Sequence, residues 1–255
     1  MMRGRYYILV GVIAYLVFLV STLPAAPVLG MFKDRMPVII NNVSGSLWNG
    51  HAGTVVTGKL TLDNVDWSFL PLHLLLAKAA IHVNAEFNNN PLSSRLSTGF
   101  SGNVAVDELS VKLDASDVAS LVVLPLGELT GDFFLRINSA TFQPGSVPRI
   151  DGTLNWNKAA ITVAETADLG NVSILINEDD DSPLTAAISN KGGDLSLSGN
   201  LTTDETGLYS LELAMKPNAS ASDNLINSLG MVAKKQRNGE FILNNSGNLK
   251  QLGLM

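Results

Sequence analysis

The feature that most limits what this chain can fold into is a period of two. From Thr57 onward, apolar residues alternate with polar ones in short runs: Leu60 and Leu62, then Val65, Trp67 and Phe69, then Ile81, Val83, Ala85 and Phe87. Leu109, Val111 and Leu113 repeat the pattern, as do Phe133, Leu135 and Ile137, and Val172, Ile174 and Ile176. So do Leu184, Ala186 and Ile188, Leu195 with Leu197, the odd positions from Tyr209 to Met215, and Phe241 with Leu243. Successive side chains of a strand point to opposite faces, so each run reads as a strand with one apolar face. The clusters "NNNP", "QPGSVP", "EDDDSP", "NKGGD", "TDETG" and "RNG" fall between runs and read as turns. Many short one-faced strands predict a mainly β protein built on a large, antiparallel, curved sheet, and argue against a βαβ enzyme. The one-residue slip between Leu62 and Val65 predicts a bulge near Asp63 and Asn64.

One or two short helices interrupt this pattern. Asp114–Leu124 opens on acidic residues, and Ser222–Gln236 has Ser222 at the N-cap position. Leu225, Leu229 and Val232 share one face of the second segment, and Lys234 and Lys235 suit its C-terminal end. "LPLHLLLAKAA", Leu70–Ala80, is apolar but too short to span a bilayer, and reads as a helical turn packed on the sheet.

The amino terminus is different. Arg3 and Arg5 precede an apolar run, and no charged residue occurs again before Lys33. Tyr6–Leu23 is 18 residues, roughly 27 Å as a helix against a hydrocarbon core of about 30 Å. Tyr6 and Tyr7 sit where interfacial aromatics belong, and Pro24 and Pro27 are helix-stopping residues. The expectation is a short cytoplasmic tail and single transmembrane signal-anchor over residues 1–29, with residues 30–255 as a β-rich domain outside the cytoplasm. A cleaved signal peptide is the competing reading, disfavoured by the length of the run and by proline inside the "PAAP" junction.

Two of the three tryptophans occupy similar surroundings, "VSGSLWNGHAGTV" at Trp48 and "IDGTLNWNKAAITV" at Trp156, 108 residues apart. Gly131-Asp132-Phe133 and Gly239-Glu240-Phe241 share that offset, which suggests two related halves, 43–145 and 148–254. Against this, "GSLW" and "GTLNW" differ by one residue, which in a strand exchanges the two faces. Trp48, Trp67 and Trp156 are the structural or partner-contact candidates. Trp48 and Trp156 are expected to be largely buried with hydrogen-bonded indoles; the competing reading makes one of them an exposed partner anchor.

No catalytic, cofactor-binding or metal constellation stands out. The chain has no cysteine, so thiolate chemistry and cysteine metal sites are excluded. His51, His73 and His82 lack ligand spacing. The acidic run Glu178–Asp181 lacks the alternation and glycine of a calcium loop and reads as a hairpin tip. "GFSG" at Gly99 is not a nucleophile elbow, and "NKGGD" at Asn190 is not a phosphate loop. A net charge of −6 without a basic stripe argues against nucleic acid.

The order of marks along the chain nevertheless resembles a known family. The arginine-led apolar segment is followed by "VSGSLWNGHA" at Val43, "VDW" at Val65 and "DGTLNWNKA" at Asp151. "DLGNV" at Asp168, "GDLSLSGNL" at Gly193, "TGLYSLELAMKP" at Thr206, "LINSLG" at Leu225 and "NGEFILNNSGNL" at Asn238 come next. This set resembles protein N of the bacterial type II secretion system, or general secretion pathway. The resemblance implies a single-pass inner-membrane protein with a periplasmic domain, not an enzyme and without a cofactor. It would bind other secretion components in support of the export of folded proteins across the outer membrane. The anchored, strand-rich organisation is also similar to AsmA-like envelope proteins, which leaves a periplasmic lipid-handling groove as the alternative function.

Overall fold

The computed structural model describes residues 2–32, 38–58, 60–99, 102–121, 127–162, 165–179 and 182–252. The chain forms two compact units, Met1–Asn89 and Asn90–Met255. Both are mainly β and antiparallel, as the alternation demands.

In the first unit, two helices, α1 (Met2–Ser21) and α2 (Ala25–Phe32), precede the strands β1 (Ile39–Asn41), β2 (Ser44–Gly45), β3 (Asn49–Thr57), β4 (Leu60–Phe69) and β5 (Lys78–Phe87). Strand β3 pairs with β4 on one side and with β1 and β2 on the other; β4 pairs with β5. Val83, Ala85 and Phe87 are buried on one face of β5, with Val65 of β4 and its partner Ala52 of β3. The bulge expected near Asp63 and Asn64 is present: the β4–β5 register shifts between Asp63 and Asp66, and Asn64 takes φ 50°. Asparagine tolerates that left-handed conformation better than most residues, because its short side chain bonds locally.

Among the described residues no helix is long and apolar enough to cross a membrane. The spanning segment expected at Tyr6–Leu23 is therefore not supported by the fold, although α1 covers most of it. The helix stops at Ser21, where Thr22 turns its hydroxyl and amide back on the Phe18 carbonyl and Pro24 lies two residues on. Pro27 does not stop a helix; it sits in the first turn of α2, where a missing N–H costs nothing. The loop after α1 is joined to the sheet by an isolated bridge between Pro24 and Ser46 and by the Leu47 amide, which donates to the Leu23 carbonyl.

The second unit is an antiparallel meander: β6 (Asn90–Gly99), β7 (Val104–Asp114), β8 (Glu128–Phe142), β9 (Arg149–Thr162), β10 (Thr166–Asp179), β11 (Ser182–Lys191), β12 (Leu195–Thr203) and β13 (Leu208–Pro217). Strand β15 (Phe241–Asn248) then pairs with β13, and the two-residue β14 (Lys234–Lys235) pairs with the start of β15. Helix α3 (Ala115–Leu121) follows β7 within the expected Asp114–Leu124; residues 122–126 lie outside the described residues.

Helix α4 (Asp223–Val232) supplies the cover for the core of this unit. The Ser222 hydroxyl accepts from the Leu225 amide, as the N-cap reading expects. Leu225 and Leu229 bury against Leu195, Met215 and Phe241. The helix is shorter than expected at its other end. Lys234 and Lys235 leave it to pair with Ile242 and Phe241, and Val232 is exposed instead of completing the buried face. A strand partner just across the "QRNG" turn satisfies these backbone groups better than a frayed helical turn.

Candidate functional site

The three tryptophans are half-buried, and each indole N–H is hydrogen-bonded. Trp48 Nε1 donates to the Val20 carbonyl at the end of α1 (2.8 Å), and its ring meets Phe69 edge-on at 4.9 Å. Trp67 Nε1 donates to the Leu47 carbonyl (3.1 Å), and its ring lies across Gly50, where any Cβ would fall 2.2 Å from the indole. Trp156 Nε1 donates to the Thr130 carbonyl (2.9 Å), and the ring stacks on Phe133 at 4.9 Å. The expectation of large burial thus needs correction while the hydrogen bonding stands. A single sheet layer with few helices against it does not enclose rings of this size, so each stays half-buried.

The "NKGGD" turn and the "DLG" at the start of β10 form a polar knot. The Asp194 amide donates to the Asp168 carbonyl (2.6 Å), and the Asp168 amide donates to Asp194 Oδ2 (3.1 Å). Asn190 Nδ2 donates to the Leu169 and Leu195 carbonyls (2.8 and 2.7 Å) while its Oδ1 accepts from the Leu197 amide (2.7 Å). Asn218 closes the knot, donating to the Gly193 carbonyl and accepting from the Ser196 hydroxyl. Gly170, at φ +67°, lets these turns meet: a Cβ there would lie 2.3 Å from the Lys191 carbonyl oxygen. The residues Asp168, Asn190, Asp194 and Asn218 therefore fix loop geometry. Their signal in sequence was the pairing of "DLG" with "GGD", visible only once the two turns are known to be neighbours.

Between the sheet and α4 lies an apolar recess of about 390 Å³. Trp156, Ile174, Ile188, Leu197, Leu213 and Val232 line it, with Leu169 and Leu195 from the knot. Glu165 and Ser228 are its polar members, and Glu165 accepts a hydrogen bond from the Ser222 hydroxyl (2.8 Å).

The second feature with binding capacity is an open strand edge. On the side away from β13, β14 covers only Phe241 and Ile242, so Leu243–Asn248 has no strand partner there among the described residues. The direction of the free groups follows from two bonds. The Gln236 amide donates to the Glu240 carbonyl on the β14 side, and the Leu249 amide donates to the Gly207 carbonyl on the β13 side. Backbone groups alternate along a strand, so the amides of Asn244, Ser246 and Asn248 point outward.

Titratable groups do not converge. Among the described residues no three of His, Cys, Asp or Glu gather as metal ligands. His51 Nδ1 meets Asp66 Oδ1 at 2.9 Å on the surface. Of the acidic run Glu178–Asp181, Asp180 and Asp181 lie outside the described residues, as do the side chains of Glu178 and Asp179. Asp204 is held below the ordinary carboxylate range, first by the Thr206 hydroxyl and then by the Leu208 amide, in an exposed turn.

No curated protein and no solved structure matches this chain. Residues 37–244, however, match the family described as "Type II secretion system (T2SS), protein N", which spans the tryptophan settings, the polar knot, the recess and the opening of the free edge. A match over most of the chain places it in that family: the chain belongs to the protein N family of the type II secretion system.

Proposed function

We propose that this type II secretion component works without catalysis, as a periplasmic binding platform tethered to the bacterial inner membrane. Residues 1–29 form the tail and anchor, and residues 30–255 bind other secretion components that support export of folded proteins across the outer membrane. The observation that carries the binding role is the open edge Leu243–Asn248, whose outward amides and carbonyls match the needs of an incoming strand. Tethering raises the effective concentration for membrane-bound partners, so a short edge suffices. The anchor rests on the uncharged run after Arg5. Val10, Val12, Tyr15, Phe18, Leu19 and Val20 in that run are exposed, a pattern that suits an apolar surrounding better than water.

The test is Ser246→Pro, which removes one outward donor while leaving the β13 ladder intact. With photo-crosslinkers at Asn244 or Asn245, the parent chain should trap inner-membrane components of the secretion pathway. The proline variant should lose those adducts and impair export at an unchanged melting temperature. Unaltered adducts and export would remove the edge from the reading. A mature amino terminus between about residues 24 and 28, recovered from membrane-free periplasm, would remove the anchor.

The AsmA-like lipid-handling reading has one observation in its favour, the apolar recess under α4. It prevails if mass spectrometry finds lipid copurifying with the chain, and gene deletion alters envelope lipids while export continues.

A further inference from the structure

The segment Pro71–Leu76 between β4 and β5 carries an arrangement that the docking function leaves unused. It forms a 3₁₀ turn with no buried residue. Leu72, Leu74, Leu75 and Leu76 are 75, 56, 84 and 70 % exposed. The sequence led us to expect these leucines against the sheet; the fold holds them off it. This protrusion is structured. The Leu70 amide donates to the Ala80 carbonyl, the His73 amide to Leu70, and the Ala77 amide to Leu74, with Ala77 in the left-handed region at φ 56°. Three residues per turn bring Leu72 and Leu75 onto the same side. Four adjacent exposed leucines on a fixed backbone form an apolar knob that water does not stabilise.

Its position says what covers it. Pro71 and Leu74 share one recess with Val20 and Ser21 of the end of α1, and with Trp48 and Phe69. Trp48 bonds the last turn of α1 directly, so the knob and the end of α1 are held in one structure. The charge pattern agrees: no carboxylate occurs between Asp66 and Glu86, and Lys78 immediately follows the turn. An apolar tip backed by a cation and free of acids suits an anionic lipid surface.

We infer that the Leu72–Leu76 knob inserts into the outer leaflet of the inner membrane beside the end of α1, and so sets how the first unit stands on the bilayer. The inference rests on the anchor reading. It differs from that reading because the anchor alone would leave the knob in water.

The chain contains no cysteine, so single labelling sites are introduced cleanly. An environment-sensitive fluorophore is attached through Leu75→Cys, Val12→Cys or Thr61→Cys in the full chain. Each variant is reconstituted in vesicles of phosphatidylethanolamine and phosphatidylglycerol. Nitroxide-labelled lipid should quench the probes at positions 12 and 75 several-fold more than the probe at position 61, and aqueous iodide should do the reverse. If position 75 follows position 61 while position 12 is quenched by lipid, the insertion is wrong and the anchor survives. If position 12 is also silent to lipid, the anchor fails and the insertion falls with it. Protection of position 75 from both quenchers would mean that protein covers the knob, which also overturns the inference.

Discussion

Helix α4 and the Pro71–Leu76 turn are both leucine-bearing segments between strands, yet they treat their leucines in opposite ways. In α4, Leu225 and Leu229 are four apart on one face, and both are buried. Ser222 caps the first turn, so ten residues of α-helix can lie flat across the strands. The Pro71–Leu76 turn has no side-chain cap, and its tighter winding cannot present an i, i+4 stripe. Three of its four leucines, Leu74–Leu76, are consecutive, so whichever one faced the sheet would leave others in solvent. The turn is the more apolar segment of the two, so spacing and length, not apolar content, decide what becomes core.

Breaking the covered side of this comparison should have the largest effect. Phe241 is 2 % exposed beneath α4. Phe241→Ala should therefore cost about 3–5 kcal/mol, read as a loss of unfolding free energy in urea. A cost below about 1 kcal/mol would mean that α4 does not seal the core.

A smaller change sharpens the role of the cap. Ser222→Ala removes the acceptor for the Leu225 amide and the donor to Glu165, for an expected loss of about 1 kcal/mol. Ser222→Asp should keep the cap and lose the donor, so thermal melting of the two variants separates those contributions.

On the uncovered side, Leu75→Ser should change the stability of detergent-solubilised chain by no more than about 0.5 kcal/mol. A larger loss would show that the knob packs on the protein. The smallest effect is expected at Asp204, remote in sequence from both segments. Its pKa is lowered in the fold, so its contribution is fully present above the unfolded-state pKa. That contribution disappears as pH falls through the folded value. Asp204→Asn should therefore melt slightly below the parent at neutral pH, and the two curves should converge in strong acid.

Much of the fold was legible because period two survives any tertiary arrangement. Ile81, Val83, Ala85 and Phe87 share a face as read, and the slip after Leu62 became the Asn64 bulge. Strands without large apolar alternation were not legible. Asn90–Gly99 carries no apolar alternation in sequence, and its buried positions are Ser94 and Ser97. Arg149–Thr162 hides its alternation behind Gly152, Ala159 and Ala160. Of the candidate site, the tryptophans were visible and the knot was not, because Asp168 and Asp194 are 26 residues apart in sequence.

The sequence by itself determined the antiparallel β class, the turn positions, the capped start of α4 and family membership. These are local or ordered signals, carried by side-chain period, by backbone-compatible residue types and by motif order. Tertiary structure alone decided which leucines are covered, how far the tryptophans are buried and which strand edge stays open. Each of these depends on what lies opposite. Lys234 and Lys235 follow helical spacing as a string, yet they pair as a strand because the β15 edge is within reach. Leu72–Leu76 reads as packed on the sheet because it is apolar, yet its leucines stand exposed on a tight turn.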